Sequence, residues 1–209
     1  DHTPADTTFT ELARLRPDDP VVPMYHALHA LSSERYERAV ELFAQAEARA
    51  LQVENGAELL TAQFHFSYGN ALERTGRRAE AEERIETALR EDPELAEAWN
   101  YLAYMWAERG EHLDKALRYV REALKRDPNN GAFLDTLGWI YFQQGRYHEA
   151  ETELRRALAG LPEEDPTVLD HLGDVAARLG REKDAVNYWS RAWVLESTND
   201  TIRAKLEAH

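Results

Sequence analysis

The side chains able to do chemistry are few and scattered. His26 and His29 stand three residues apart and on a helix would share a face, as two metal ligands do, but no third ligand accompanies them. His171 follows Asp170 and resembles a fragment of a nucleophile-activating dyad. Adjacent helical residues point in different directions, so the expectation for His171 is a solvated or groove-lining histidine. None of the five serines lies in a G-x-S-x-G elbow, and the chain has neither a Walker phosphate loop nor an H-E-x-x-H pair. It has no cysteine, which removes disulfides, thiolate metal sites and cysteine nucleophiles. No catalytic residue, metal site or cofactor is therefore expected, and the chain reads as non-enzymatic.

Binding is what remains, and charge narrows the partner. Asp and Glu number 39 against 25 Lys and Arg, a formal charge of −14 over 209 residues. Nucleic-acid affinity and anionic membrane surfaces both need clustered positive charge, so neither is an expected partner. No apolar run approaches the roughly 20 residues that span a bilayer.

The elements that would position a binding surface are written as a repeat. The stretch from Gly138 recurs 35 residues later at Gly173, 35 earlier at Ala103, 34 before that at Gly69, and more faintly at Ala27. The copies align as 20–53, 62–95, 96–130, 131–165 and 166–199, with an insert at 54–61. Small residues fill three slots: Ala27, Gly69, Ala103, Gly138 and Gly173; Ala39, Ala81, Ala116, Ala150 and Ala185; Ala46, Ala88, Ala123, Ala157 and Ala192. Tyr147, Ala150, Leu154 and Ala157 fall at spacings of three and four, one face of a helix. Gly76, Gly110, Gly145 and Gly180 mark a turn before that helix, and Pro93, Pro128 and Pro162 close it. Each copy is thus a helix pair whose backbones approach closely at the small slots. No pair buries its apolar face alone, so neighbours must stack. The insert 54–61 is expected to add about two turns to a flanking helix. Residues 1–19 read as the second helix of a preceding repeat, and 200–209 as a capping helix. In that cap Ile202 and Leu206 cover the last groove, while Arg203, Lys205 and Glu207 face water.

Trp99-x-x-Leu102-Ala103-x-x-Trp106, followed by Gly110, Ala116, Ala123 and Pro128, resembles the tetratricopeptide repeat, with one extra residue in the turn. The resemblance covers 20–199; the first copy departs from it, with Glu34 at the glycine slot and Leu51 at the proline. It implies an all-α, right-handed superhelical solenoid of about five helix-turn-helix repeats with a C-terminal capping helix. In that family, repeat positions 2, 5, 9 and 12 of the first helix face a concave groove. Carried onto this chain, they give a peptide-binding groove of Phe66, Asn70, Asn100, Tyr104, Asp135, Trp139, Phe142, Asp170 and Asp174. The asparagines would pair with an extended peptide backbone, the aromatics hold apolar side chains, and the aspartates favour a basic or polar segment. Some family members clamp a carboxylate with Lys and Arg; the matching slots here are Phe66, Asn70, Tyr101, Ala132 and Thr136, so that clamp is absent.

The expected function is a non-enzymatic protein- or peptide-binding scaffold or adaptor, part of a longer bacterial protein. Similarity to the C-terminal repeats of bacterial multi-repeat proteins, many of them lipoproteins, implies an envelope enzyme or protease as partner. The implied location is periplasmic or outer-membrane-associated, with the cytoplasm as alternative. Two other readings are self-association through an apolar N-terminal edge, giving a homo-oligomer, and a regulatory module attached to an upstream catalytic domain.

Overall fold

The computed structural model describes residues 4–208. Among them are twelve α-helices and one short 3₁₀ turn, with no strand. The chain divides into two compact units, one up to Ala98 and one from Trp99 onward.

The first unit holds α1 (Pro4–Leu15), the pair α2 (Val21–Ser32) and α3 (Tyr36–Ala50), and the pair α4 (Ala62–Arg74) and α5 (Arg78–Glu91). Its core follows the small slots. Ala27, Ala39 and Ala81 are fully buried, and Phe43 lies between Phe64 and Tyr68 with both ring centroids 5.4 Å away. A Cβ on Gly69 would stand 2.5 Å from Ile85 of α5, so glycine is what allows that approach.

The second unit takes in nearly all of α6 (Ala96–Glu108), then α7 (Leu113–Arg126), α8 (Gly131–Gln143), α9 (Tyr147–Gly160), α10 (Pro166–Arg178), α11 (Glu182–Leu195) and α12 (Asp200–Glu207). Tyr119 of α7 packs edge-on against Trp99 and Trp106 of α6 at 4.7 and 5.1 Å. Gly138 faces Leu154, and Gly173 lies against the indole of Trp189. α5, α7 and α9 each stop two residues before the proline that follows, as expected where proline disfavours a helical predecessor.

One turn recurs in all five pairs. The amides of Arg35, Arg77, Glu111, Arg146 and Arg181 each donate at 2.9 Å to the carbonyl five residues back, closing the first helix with a Schellman-type bond. That turn needs a left-handed residue, and Gly76, Gly110, Gly145 and Gly180 supply it. In the first pair Glu34 takes the same conformation at φ 57°, which explains how that copy keeps the turn without glycine. The extra residue of the third copy is accommodated by His112, also left-handed at φ 48°.

Two expectations about the connections are corrected. The insert does not lengthen a helix: α3 stops at Ala50, and Gly56–Leu59 forms a separate 3₁₀ turn. Asn55 turns left-handed at φ 58°, and Gly56 packs so closely on the carbonyl of Ala50 that any Cβ would collide with it. The capping helix does form, N-capped by the Asn199 side chain with Ile202 buried, but Lys205 turns inward rather than to water.

The two glycine roles separate under substitution. Gly173→Ala drives a methyl group into the Trp189 ring and is expected to cost about 1–3 kcal/mol as an overpacked core. Gly145→Ala meets no atom within 4 Å and is expected to cost only about 1 kcal/mol of left-handed strain. Denaturant unfolding of the two variants reads the difference; a neutral Gly173→Ala would contradict the close approach.

Candidate functional site

Within the second unit, three successive first helices present their exposed faces to one cavity of about 280 Å³. Its walls are Asn100, Tyr101 and Tyr104 from α6, Ala132, Asp135 and Thr136 from α8, and Thr167 and Val168 from α10. Leu161 and Asp165, from the α9–α10 connection, complete it. Helix capping holds much of this wall in place. Asn130 accepts hydrogen bonds from the amides of Ala132 and Phe133 at 3.1 and 3.3 Å. Asp165 Oδ1 accepts from Thr167 and Val168 at 2.8 and 3.1 Å, with Pro166 opening α10. Thr136 Oγ1 is turned back onto the carbonyl of Ala132 at 3.0 Å.

Two acceptors of residues that line the cavity are incompletely used. Asn100 Oδ1 is buried and receives no hydrogen bond, which in a folded chain carries a desolvation penalty. Asp135 is 8% exposed and meets His171 Nδ1 through Oδ1 at 2.9 Å, leaving Oδ2 without a hydrogen bond. Next to the cavity runs a short aromatic stack. Phe142 lies parallel to Trp139 at 4.6 Å, Trp139 lies parallel to His171 at 4.1 Å, and Arg178 stands 5.5 Å over Phe142.

His171 is therefore buried and engaged, not solvated, and its partner is Asp135, 36 residues away, rather than the neighbouring Asp170. Burial alone would lower the imidazolium's pKa. The charge and hydrogen bond of Asp135, with Glu108 and Asp170 beyond, outweigh burial and leave it raised. His26 in the first unit shows the opposite balance. Its Nε2 meets Asp6 Oδ1 at 3.1 Å and its ring stacks on Phe9, yet burial, with Arg38 and Arg35 nearby, leaves its pKa lowered. With His26 bound to Asp6 and His29 against Phe9, the two histidines do not form a metal pair. Among the described residues no group of three His, Cys, Asp or Glu side chains is arranged around a common metal position.

Of the nine residues expected in the groove, the cavity gathers Asn100, Tyr104 and Asp135. Trp139 and Phe142 form the adjoining stack. Phe66 and Asn70 lie half-buried on α4 in the first unit. Asp170 and Asp174 are engaged within the chain: Lys205 Nζ lies 2.8 Å from Asp170 Oδ1 and 2.7 Å from Asp174 Oδ1. Asp174 also accepts from Trp189 Nε1 at 3.2 Å. Burial raises the Asp170 pKa despite the opposing pull of Lys205. The capping helix thus places one positive charge against two of the three aspartates of the expected acidic groove. Sequence slots missed Leu161, Asp165 and Val168; the Asp165-Pro166 pair, a helix-start signal, was the cue for one of them.

Two family models, both described as the tetratricopeptide repeat, match this chain, one at residues 26–83 and 68–131, the other at 109–172. The chain belongs to the tetratricopeptide repeat family. A TPR repeat-containing protein of Pseudomonas aeruginosa is 35% identical over 96 residues, 46% of this chain and 16% of that protein. The peroxisomal targeting signal receptor of Yarrowia lipolytica is 33% identical over 111 residues, 53% of this chain and 18% of the receptor. The matched stretches are thus less than a fifth of either relative's length. A thermophilic TPR protein of Thermus thermophilus superposes with a TM-score of 0.71 at 19% identity, covering 90% of this chain and 97% of that one. The fold is therefore the tetratricopeptide solenoid, in general a scaffold for protein–protein interaction and typically non-catalytic. No helix among the described residues is long and apolar enough to cross a membrane.

Two measurements check the electrostatics. Because folded His171 holds its proton more tightly than the reference value of 6.5, the pair's stability is complete below that pH and fades as pH rises through the raised folded value. The loss on Asp135→Asn, followed by thermal melts, is expected to be larger at about pH 6 than at about pH 9. Lys205→Met strands two part-buried carboxylates and is expected to cost about 1–3 kcal/mol. Adding Asp174→Asn should recover part of that loss in a double-mutant cycle; simple additivity would show that the contact carries no energy.

Proposed function

We propose that this chain is a non-enzymatic scaffold that holds a protein partner by an extended segment laid along the first helices of its second unit. The observation that carries this reading is the open cavity of about 280 Å³ lined by three successive first helices through Asn100, Tyr104 and Asp135. The side-chain amide of Asn100 and the carboxylate of Asp135, both among the lining residues, are groups of the kind that pair with the backbone or side-chain N–H groups of an extended segment. Tyr101 and Tyr104 beside Asn100 offer large, rigid contact area at low entropic cost, as interface aromatics do. The stack of Phe142, Trp139 and His171 extends the same surface with an apolar platform. One relative is named as a receptor for a targeting signal, which supports peptide recognition as the mode.

The proposed setting is the bacterial envelope, with an envelope enzyme or protease as partner; fractionation of the native organism with antibody detection separates this from a cytoplasmic setting. The groove is tested by affinity capture from the native lysate, with wild type and an Asn100→Ala/Tyr104→Ala variant compared by quantitative mass spectrometry. Partners held by the groove should drop at least about tenfold in the variant, since each hot-spot truncation costs over 1 kcal/mol. Equal recovery, with an unchanged helical spectrum, would place binding on another face.

A further inference from the structure

We propose that the first unit is a pH-sensitive element: mild acid protonates His65, whose buried ring nitrogen has no hydrogen-bond partner, and so loosens α4, with His26 adding to the effect on α2, while the second unit keeps its fold. His65 lies on α4 and is 8% exposed, and its Nδ1 is buried without a hydrogen bond. Phe64 meets the ring edge-on at 5.5 Å. A neutral imidazole carrying its hydrogen on Nε2 leaves only a lone pair at Nδ1. Protonation puts an N–H and a positive charge at that position, where neither an acceptor nor water receives them, and an uncompensated buried charge is strongly destabilising.

The charged groups around His65 do not relieve this. They are Glu47 on α3 and Arg84, Arg90 and Glu91 on α5. Both oxygens of Glu47 are taken by the Arg84 guanidinium, Nη2 lying 2.8 Å from Oε2. Burial and the Arg84 charge leave the His65 pKa lowered. His26 on α2 is in a similar position. Its Nε2 meets Asp6 Oδ1, and Arg35 Nη1 occupies Asp6 Oδ2 at 2.7 Å. The neutral ring already makes the Asp6 hydrogen bond, so a second proton adds charge beside Arg35 and Arg38. The second unit is built the other way. His171 has an acceptor in Asp135 of α8, with Glu108 of α6 and Asp170 of its own helix beyond, the latter shared with Lys205 of α12.

The signs are therefore opposite. His65 and His26 hold a proton less tightly in the folded unit than at the reference value of 6.5, so stability is full above that pH and falls as pH drops below it. His171 holds its proton more tightly, and the same drop favours the fold around it. Loosening α4 uncovers Phe43, Phe64 and Tyr68, which are all buried and packed on one another at neutral pH. Mild acid thus opens an aromatic surface in one unit and leaves the cavity of the other in place.

The test is hydrogen exchange read by mass spectrometry on the 209-residue chain at about pH 7 and about pH 5, corrected for the pH dependence of the chemical exchange step. A histidine fully shielded from protons in the fold raises the opening equilibrium up to about 25-fold over that range. Peptides from α4 and α2 should open at least about fivefold more at the lower pH, and those from α8 and α10 less than about twofold more. His65→Phe keeps a buried ring that takes no proton and should remove most of the rise in α4. Nitrogen-15 NMR of the wild-type imidazoles gives a readout that needs no variant: His65 should stay neutral until α4 opens. An equal rise in both units, no rise in either, a full rise in α4 of His65→Phe, or protonation of His65 near pH 6.5 with α4 still closed would each overturn the proposal.

Discussion

Helix pairs of this kind stand or fall on how closely two backbones can approach. Where Gly138 meets Leu154 and Gly173 meets Trp189, the second helix sits against bare backbone of the first, and the large side chain fills the place a Cβ would take. The alanines at the other two slots are buried for the same reason. Close packing makes the pair rigid, because dense interiors leave no room for sliding. Everything else inherits that rigidity. The left-handed turn sets where the second helix starts, the caps fix where the next first helix starts, and α6, α8 and the start of α10 then bring Asn100, Asp135 and Asp165 to one cavity.

Rigidity also explains how the site tolerates an unpaired oxygen. A mobile side chain would rotate toward water. Asn100 lies within α6 between half-buried neighbours, and its Oδ1 is itself buried without a hydrogen bond. The penalty is borne by the packing of the rest of the unit. Asp135 is held in a comparable way, with one oxygen anchored by His171 and the imidazole itself pressed against Trp139.

Most of this architecture was legible in the sequence, since the repeat slots, turn glycines and closing prolines are local signals. Asn100, Tyr104 and Asp135 were legible as well, because fixed slots on a fixed helix face carry over from copy to copy. Pairings between copies were not. His171 lies one position from a groove slot and is expected from the sequence to be solvated or groove-lining, whereas stacking brings it to Asp135 of the preceding copy. Lys205 was read as solvated because an amphipathic pattern says which side a residue takes, not how far a four-carbon stem reaches. The insert misled for a different reason. Its Ala and Leu content favours helix, but Asn55-Gly56 breaks it through left-handed backbone and an approach to Ala50 that only glycine permits.

The cavity draws on α6, α8 and α10, which belong to three different copies. In a stack where each repeat leans chiefly on its neighbours, unfolding proceeds from an end inward and repeat by repeat. Losing the last pair would leave α6 to α9 paired as before and still remove Asp165 and Val168 from the wall. Binding competence is therefore a property of a run of consecutive repeats, and it disappears earlier on heating than the helical signal does. An occupant that spans all three helices would in turn tie their melting together, shifting the cooperativity of this unit as well as its midpoint.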